Sequence, residues 1–457
     1  MSTTSKDSLA EIIIQENDVI EDNTRDEIIL HEDFNEWTER KYIIRKSIPV
    51  SLAYLLLYAL QLISVLSLGH LGSTELAAST LASMISLITF VSVMYGAATA
   101  LDTLCSQAYT SGNMKMVGVY LQRSIIINFL GFIPIACIWW EADRILIFIG
   151  QSPEISAKAA LFLRYLLIGA PAYLVFVNLE RYLLAQGIMN VITYVLIICC
   201  IIDACLNFML VWYKPLSLGF IGAPISTAIT YWLMFIFLVV YTKFINGYQA
   251  WGGWSRAAFN GWKHILRLMI PGILMLCSEW WALEIITFLA GYLGELSLAS
   301  QGIIITSLNI LYQLPFGVSI AASNRVGNLL GAGLIERAKM TSKVSMQIAI
   351  IISLFNAAIL IGFKDIWGYI FTFDDDVVKY TSYVLPFTGI ADGINSVGYG
   401  ILRGQGRQNI GALLTIPGYF LIGIPIGILA AFKLGYGLRE PIGNDNWRNV
   451  KSEWKKA

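Results

Sequence analysis

The sequence predicts an all-α polytopic membrane protein built as a two-lobe bundle of two parallel six-helix repeats, the second shortened to five helices. Three observations carry that reading: the composition, the number of apolar runs and an internal repeat. Of the 457 residues, 56% are hydrophobic and only 14% are charged, where soluble domains carry about 25% charged side chains. The 31 Lys and Arg balance the 31 Asp and Glu, so no bulk field favours nucleic acid or an acidic partner. His31, His70 and His264 do not fall at a metal-ligand spacing, so no metal or cofactor site is read. The six cysteines lie in or beside apolar runs and make no disulfide framework.

A helix needs ~20 mostly apolar residues to cross a bilayer core. Eleven stretches qualify: 48–68, 76–100, 119–140, 159–183, 188–212, 219–241, 266–290, 297–321, 341–363, 380–402 and 410–434. Residues 1–41 are polar and rich in Asp and Glu, the composition of a disordered tail. An N-lobe follows over 42–241, an inter-lobe loop with "NGYQAWGGW" over 242–264, a C-lobe over 265–434 and a polar C-terminus over 435–457. Arg40, Lys41, Arg45 and Lys46 precede the first span; Lys115, Arg123, Arg181, Lys243, Lys263, Arg325, Lys343, Arg403 and Arg407 fall on the same side. The opposite side is poor in Lys and Arg, so the N-terminus is read as cytosolic.

The repeat fixes the architecture. "RKSIPVS" (45–51) lies on "RLMIPGI" (267–273), "GHLGSTELAAS" (69–79) on "GYLGELSLASQ" (291–301), "YGAATA" (95–100) on "FGVSIA" (316–321), and "AQG" (185–187) on "GQG" (404–406). Six spans precede the second copy, so the copies share one orientation and enclose a site at their interface, the plan of a secondary transporter that alternates access. "LGFIGAPIS" (218–226) opens span 6, and its counterpart "LGYGLREPIG" (434–443) should open a twelfth span; the chain instead runs into "NDNWRNVKSEWKKA". The expectation is a chain without its last membrane helix, which keeps open a truncated, non-transporting or regulatory role.

The motifs "GHLGSTELAA", "ALDTLCSQAY" (100–109), "LLAQG" (183–187), "EWWALEI" (279–285), "YQLPFGVSIAASNRVGNLLGAG" (312–333) and "LRGQGRQNIGA" (402–412) resemble the eukaryotic branch of the multidrug and toxic compound extrusion (MATE) transporters over residues 42–438. The resemblance implies a V-shaped antiporter that exports organic cations or other xenobiotics in exchange for H+ or Na+. It places cation coupling on Glu279, Glu284 and Asp392. The expected setting is the plasma or vacuolar membrane, in which one chain, as a monomer, suffices.

The residues give the same acids a physical meaning. Glu279 and Glu284 interrupt the run "LMIPGILMLCSEWWALEIITFLAG" (268–291), which has no Lys or Arg. An acid at mid-membrane costs ~3 kcal/mol on insertion scales, and burial with a second acid raises its proton affinity. Five residues apart, the two acids stand about 140° apart around the helix and do not share a face. Asp392 in "GIADGINSVGYG" completes the set. The competing reading is that these acids are hydrogen-bonded glue between helices. Protonatable acids in an apolar helix suit H+; Na+ needs several converging oxygens.

Asn309, Tyr312 and Asn395 are candidates to line the substrate cavity, with Gln61 and Ser64 on the N-lobe side. Trp280, Trp281 and Tyr312 offer faces to an organic cation, or simply pack. Asp102 in "ALDTLCSQ" reads as a helix cap or gate contact before an ion-coupling group. Asp203 and Asn207, at i and i+4, can bond to each other or form an N-lobe site. "GNLLGAG" (327–333) reads as a Gly-rich cytosolic turn, and with no strand before it, nucleotide binding is excluded. A lipid-linked saccharide flippase needs a basic cavity where this chain places acids, and a membrane enzyme needs a mid-span His that this sequence lacks.

Overall fold

A computed structural model describes residues 34–388 and 391–429, and side chains outside Tyr292 and 386–392. The helices are α1 Glu36–Gly69, α2 Ser73–Thr110, α3 Lys115–Trp140, α4 Ala142–Phe148, α5 Pro153–Leu166, α6 Ala170–Ala185, α7 Asn190–Val211 and α8 Gly222–Phe244 in the first half. The second half contains α9 Trp262–Tyr292, α10 Glu295–Gly331, α11 Ile335–Trp367, α12 Asp375–Thr388, α13 Ala391–Gly404 and α14 Gln408–Ile428. Among the described residues nine helices are long and apolar enough to cross a membrane, and α5–α6 make a tenth if that pair, bent by 56°, is one span. The run 380–402 falls on α12 and α13, and the run 410–434 is helical as far as it is described.

Local chemistry explains the boundaries. α1 starts inside the stretch assigned to the acidic tail, because Asn35 caps it: its Oδ1 accepts from the N–H groups of Trp37 and Thr38, both at 2.9 Å. The Thr38 hydroxyl accepts from the Asn35 N–H at 3.1 Å, completing a capping box. Ser152 caps α5, with Pro153 at its first turn, and Pro171 opens α6 after the bend, where its missing N–H costs nothing. Pro49, Pro271 and Pro315 lie inside α1, α9 and α10, the interiors in which a ring removes one backbone bond.

The halves meet through α9 against the Ser92–Thr110 part of α2, and through α10 against α1 and α2. Backbone contact makes this crossing possible. A Cβ on Gly96 would lie 2.6 Å from the Ile273 Cα, and one on Gly272 would lie 2.7 Å from the Gly96 carbonyl. The "GNLLG" stretch is the end of α10 and not the expected turn. Its glycines let α10 approach α2: a Cβ on Gly327 would press on Ser106 at 2.8 Å, and one on Gly331 on Gln107 Cα at 2.7 Å. At the other end of the bundle, Gly291, Gly294 and Gly302 face open space within 4 Å, and the Ser73–Ser86 part of α2 packs on α1 and α5 of its own half. The halves therefore close at the end where α2 and α10 finish and diverge at the other.

The two largest cores follow this plan. The larger holds the first half together and reaches Met269, Leu276, Phe316 and Ile320. A smaller one joins Ile43 of α1 to Val318, Val344, Ile348, Ala349 and Val397 of the second half. The 242–264 linker lies across α3 and α6: Gln122 Nε2 donates to the Gly253 carbonyl at 2.8 Å, Arg123 Nε and Nη2 donate to the Ala257 carbonyl at 3.1 and 3.0 Å, and the Tyr182 hydroxyl donates to the Gly247 carbonyl. Gly261, at φ +73°, then starts α9, a backbone conformation that favours glycine.

Candidate functional site

On α9, Cys277, Trp280, Trp281 and Glu284 fall at the i, i+3, i+4, i+7 spacing of one helix face. That face meets α2: Cys277 Sγ lies 3.4 Å from Ser92 Oγ, the Trp280 and Tyr95 rings are 6.4 Å apart, and Trp281 Nε1 donates to the Ile88 carbonyl at 3.0 Å. The Ile88 carbonyl belongs to a π-helical turn at Leu87–Val91, a local widening common at functional positions. Both indoles thus join α9 to α2. Glu284, one turn further on, is half-buried. Glu279 is 4% exposed. It lies four residues after Met275, whose Sδ abuts Gly411 of α14, so it shares the face turned into the second half. The two acids occupy different faces, as their spacing requires.

Tyr312 stacks on Phe316 at 5.5 Å, and Phe316 meets the edge of Tyr54 at 4.8 Å. Asn309 is half-buried and stands with Thr306 opposite Tyr58 of α1. Gln61 and Asn395 are exposed. The Asp392 side chain lies outside the described residues.

A second polar group sits inside the first half. Asp203 is 1% exposed, and its Oδ1 accepts from Ser226 Oγ at 2.9 Å and Thr230 Oγ1 at 2.8 Å, both on α8. Asn207 Nδ2 donates to Ser64 Oγ at 3.2 Å, which lies 3.2 Å from Thr227 Oγ1. The expected Asp203–Asn207 bond is replaced by bonds to neighbouring helices, because hydroxyls on α8 and α1 reach each group. Ser64 belongs to this buried group.

The third group lies at the closed end. Asp102 is fully buried within α2, which runs on to Thr110, so it caps nothing. Arg181 Nη1 donates to it at 3.3 and 3.4 Å, and Arg403 Nε stands 3.7 Å from its Oδ2. The Arg181 Nη2 donates to the Tyr54 hydroxyl at 3.0 Å, which donates to Glu180 Oε1 at 2.7 Å. Nearby, Ser106 Oγ donates to Asn324 Oδ1 at 2.9 Å and Thr110 Oγ1 to the Asn328 carbonyl at 2.6 Å.

Sequence reasoning counted Arg181, Arg325 and Arg403 among loop charges, but all three are buried. Arg325 is held by Glu39, which was assigned to the tail. A usable signal was present in "NLERYLL" (178–184): a charge pair embedded in an apolar run needs partners from other helices. Among the described residues, no cluster of three His, Cys, Asp or Glu assembles a metal site.

Residues 49–209 and 271–429 each match the MatE family, and the two matches are displaced as Pro271 is from Pro49. An uncharacterized transporter of Schizosaccharomyces pombe is 42% identical over 415 residues, 90% of this chain and 77% of that protein. Multidrug and toxin extrusion protein 1 of Mus musculus is 38% identical over 393 residues, 85% of this chain and 69% of that protein. The crystal structure of the eukaryotic MATE transporter AtDTX14 superposes with a TM-score of 0.82 at 31% identity, covering 91% of this chain and 92% of that one.

Proposed function

The chain belongs to the MatE family, and on that premise we propose that it is a secondary antiporter that exports organic cations or other xenobiotics in exchange for protons. The observation that carries this reading is Glu279, a carboxylic acid 4% exposed in an apolar membrane helix, with Glu284 one and a half turns away on another face. An acid in that setting binds either a proton or a cation, and the two loads exclude each other. Mutual exclusion is the minimum an exchanger requires of its site. The similarity to multidrug and toxin extrusion proteins supports the substrate class. Asp392 is the proposed third member, and Asp203 with Asn207 a further site in the first half.

The excess of Lys and Arg supports a cytosolic N-terminus, and with it a cytosolic closed end. The described conformation is then the one that faces outward. Sodium in place of protons, and the plasma or the vacuolar membrane as the setting, fit the same site; a monomer suffices for the cycle.

Efflux of a fluorescent organic cation from proteoliposomes under an imposed pH gradient tests the proposal. Wild type should show gradient-driven flux, and Glu279→Gln should lose at least tenfold of it with unchanged elution on size exclusion. Equal flux in the variant would remove Glu279 from the mechanism. Flux that follows a sodium gradient alone would replace the proton with Na+.

A further inference from the structure

Two motifs far apart in the sequence meet at the closed end. The polar face of α2, formed by Asp102, Thr103, Ser106, Gln107 and Thr110, receives the turn after α13, "RGQGRQ" (403–408). Gln408 Nε2 donates to Thr103 Oγ1 at 2.8 Å, Gln107 Nε2 donates to the Gly404 carbonyl at 3.1 Å, and the Thr103 hydroxyl donates to the Arg403 carbonyl. At the centre, Asp102 serves two arginines whose bonds to it differ. Arg181, from its own half, is hydrogen-bonded to both carboxylate oxygens. Arg403, from the opposite half, stands at 3.7 Å. Its Nε has no hydrogen bond among the described residues, while its Nη2 donates to Ser319 Oγ of its own half at 2.9 Å.

Beside them lies Glu180, 1% exposed. Its Oε1 accepts from Tyr54, and its Oε2 has no partner among the described residues. With Glu180 charged, Asp102, Glu180 and Arg181 give the first half one net negative charge facing the positive Arg403. With Glu180 neutral, that net charge is zero. In a buried, low-dielectric setting such a difference is weakly screened.

We propose that these four residues are the gate of the closed end: Arg403 parts from Asp102 when the halves separate there, Arg181 keeps Asp102 neutralised afterwards, and the charge on Glu180 sets how firmly the gate holds. The proposal rests on the alternating-access reading above. A proton on Glu180 loosens the gate, which is the sense an exchanger needs if its proton-loaded form is the one that turns toward the cytosol. The groups that surround Glu180 are Tyr54 from α1, Asp102 and Tyr95 from α2, and Arg181 and Tyr173 from its own helix. From the other packed helices, α3 presents Ser124 and Asn128 to Asn178, α8 presents Tyr231 to Tyr173, and α10 presents Phe316 to Tyr54.

The test is the labelling rate of Ser106→Cys by a bulky hydrophilic maleimide in the purified full chain, measured above the rate of the chain with native Ser106. Ser106 is fully buried between α2 and α10, so labelling reports separation of the halves and requires neither substrate nor gradient. Arg403→Gln should raise the rate about tenfold, and Glu180→Gln about threefold, with Arg403→Lys within twofold of the parent. An unchanged rate in Arg403→Gln overturns the gate. Faster labelling in Arg403→Gln alone overturns the role of Glu180. Should Arg403→Gln elute as aggregate, the isosteric Glu180→Gln decides by itself. Loss of cation efflux with these labelling ratios intact would sink the exchange reading and leave the gate standing.

Discussion

Among the described residues, two buried ion pairs cross between the halves, and they are built differently. Glu39 accepts from Arg325 Nε at 2.9 Å and Nη2 at 3.1 Å and from Thr341 Oγ1 at 2.8 Å. The Arg325 guanidinium also lies 4.4 Å from the Tyr42 ring centre, and Ile43 beside it is sealed in the second-half core. Asp102, by contrast, is shared, and its link to the opposite half is a single longer arm. The difference shows that the structural boundary does not follow the chain. The start of α1 is stitched into the second half by Glu39 and Ile43, and α1 stays against α10 beyond Pro49, where Ser51 Oγ donates to the Leu314 carbonyl at 3.1 Å. Glu39–Arg325 is a staple closed by two hydrogen bonds, whereas Asp102–Arg403 is the contact proposed to part.

Breaking the staple should have the largest effect. Glu39→Gln leaves Arg325 buried without a counter-charge, a loss of about 3–5 kcal/mol for a buried pair. It should appear as a steep drop in thermal stability or in yield of folded protein by fluorescence-detected size exclusion. A Glu39→Gln chain as stable as Arg403→Gln would erase the distinction between the two pairs. Next comes the sliding surface beside the gate. Gly272→Ala drives a methyl into the Gly96 carbonyl, 2.7 Å away, and overpacking of this kind costs about 1–3 kcal/mol. The sharper expectation is a rise in Ser106→Cys labelling, because the methyl meets the Gly96 carbonyl as well as the Thr99 hydroxyl, and the backbone contact yields only if the halves themselves give way. The smallest effect belongs to Lys343→Ala on the α1–α11 seam, where Thr341 also reaches Glu39; it removes the pair with Glu36 at 2.7 Å. Both groups are well exposed, and exposed pairs contribute little. Its melting temperature should match wild type in low and high salt, and a clear loss would mean that the seam depends on its rim as well as its buried pair.

The spans, their pairing into repeats and the acids of α9 were legible because each is a local or periodic signal. An apolar run of bilayer length reads directly, and a five-residue spacing fixes relative direction on a helix. What stayed hidden was partnership. Arg181 and Asp102 are separated by 79 residues and Glu39 and Arg325 by 286, so no window contains both members. Arginines near the ends of apolar runs look like loop charges until another helix supplies the carboxylate. Glu39 looked like one more acid in an acidic tail, although Asn35 with Thr38 marked a helix start three residues earlier. Helical periodicity says which face Ser64 occupies, not that Asn207 and Thr227 of other helices cover that face.

The linker between the halves has a mechanical consequence. Gln122, Arg123 and Tyr182 bind it to the first half up to Ala257, and α9 begins only five residues later, at Trp262. The second half is therefore moored on a short leash whose one turning point is the left-handed Gly261, over the Arg123 guanidinium at 3.4 Å from where a Cβ would sit. Such a mooring permits rotation about its anchor and limits translation away from it to the reach of five residues, about 17 Å when fully extended. Whatever the bundle does at its far end, its travel is that of a hinged door, with its swing limited by a few residues of cord.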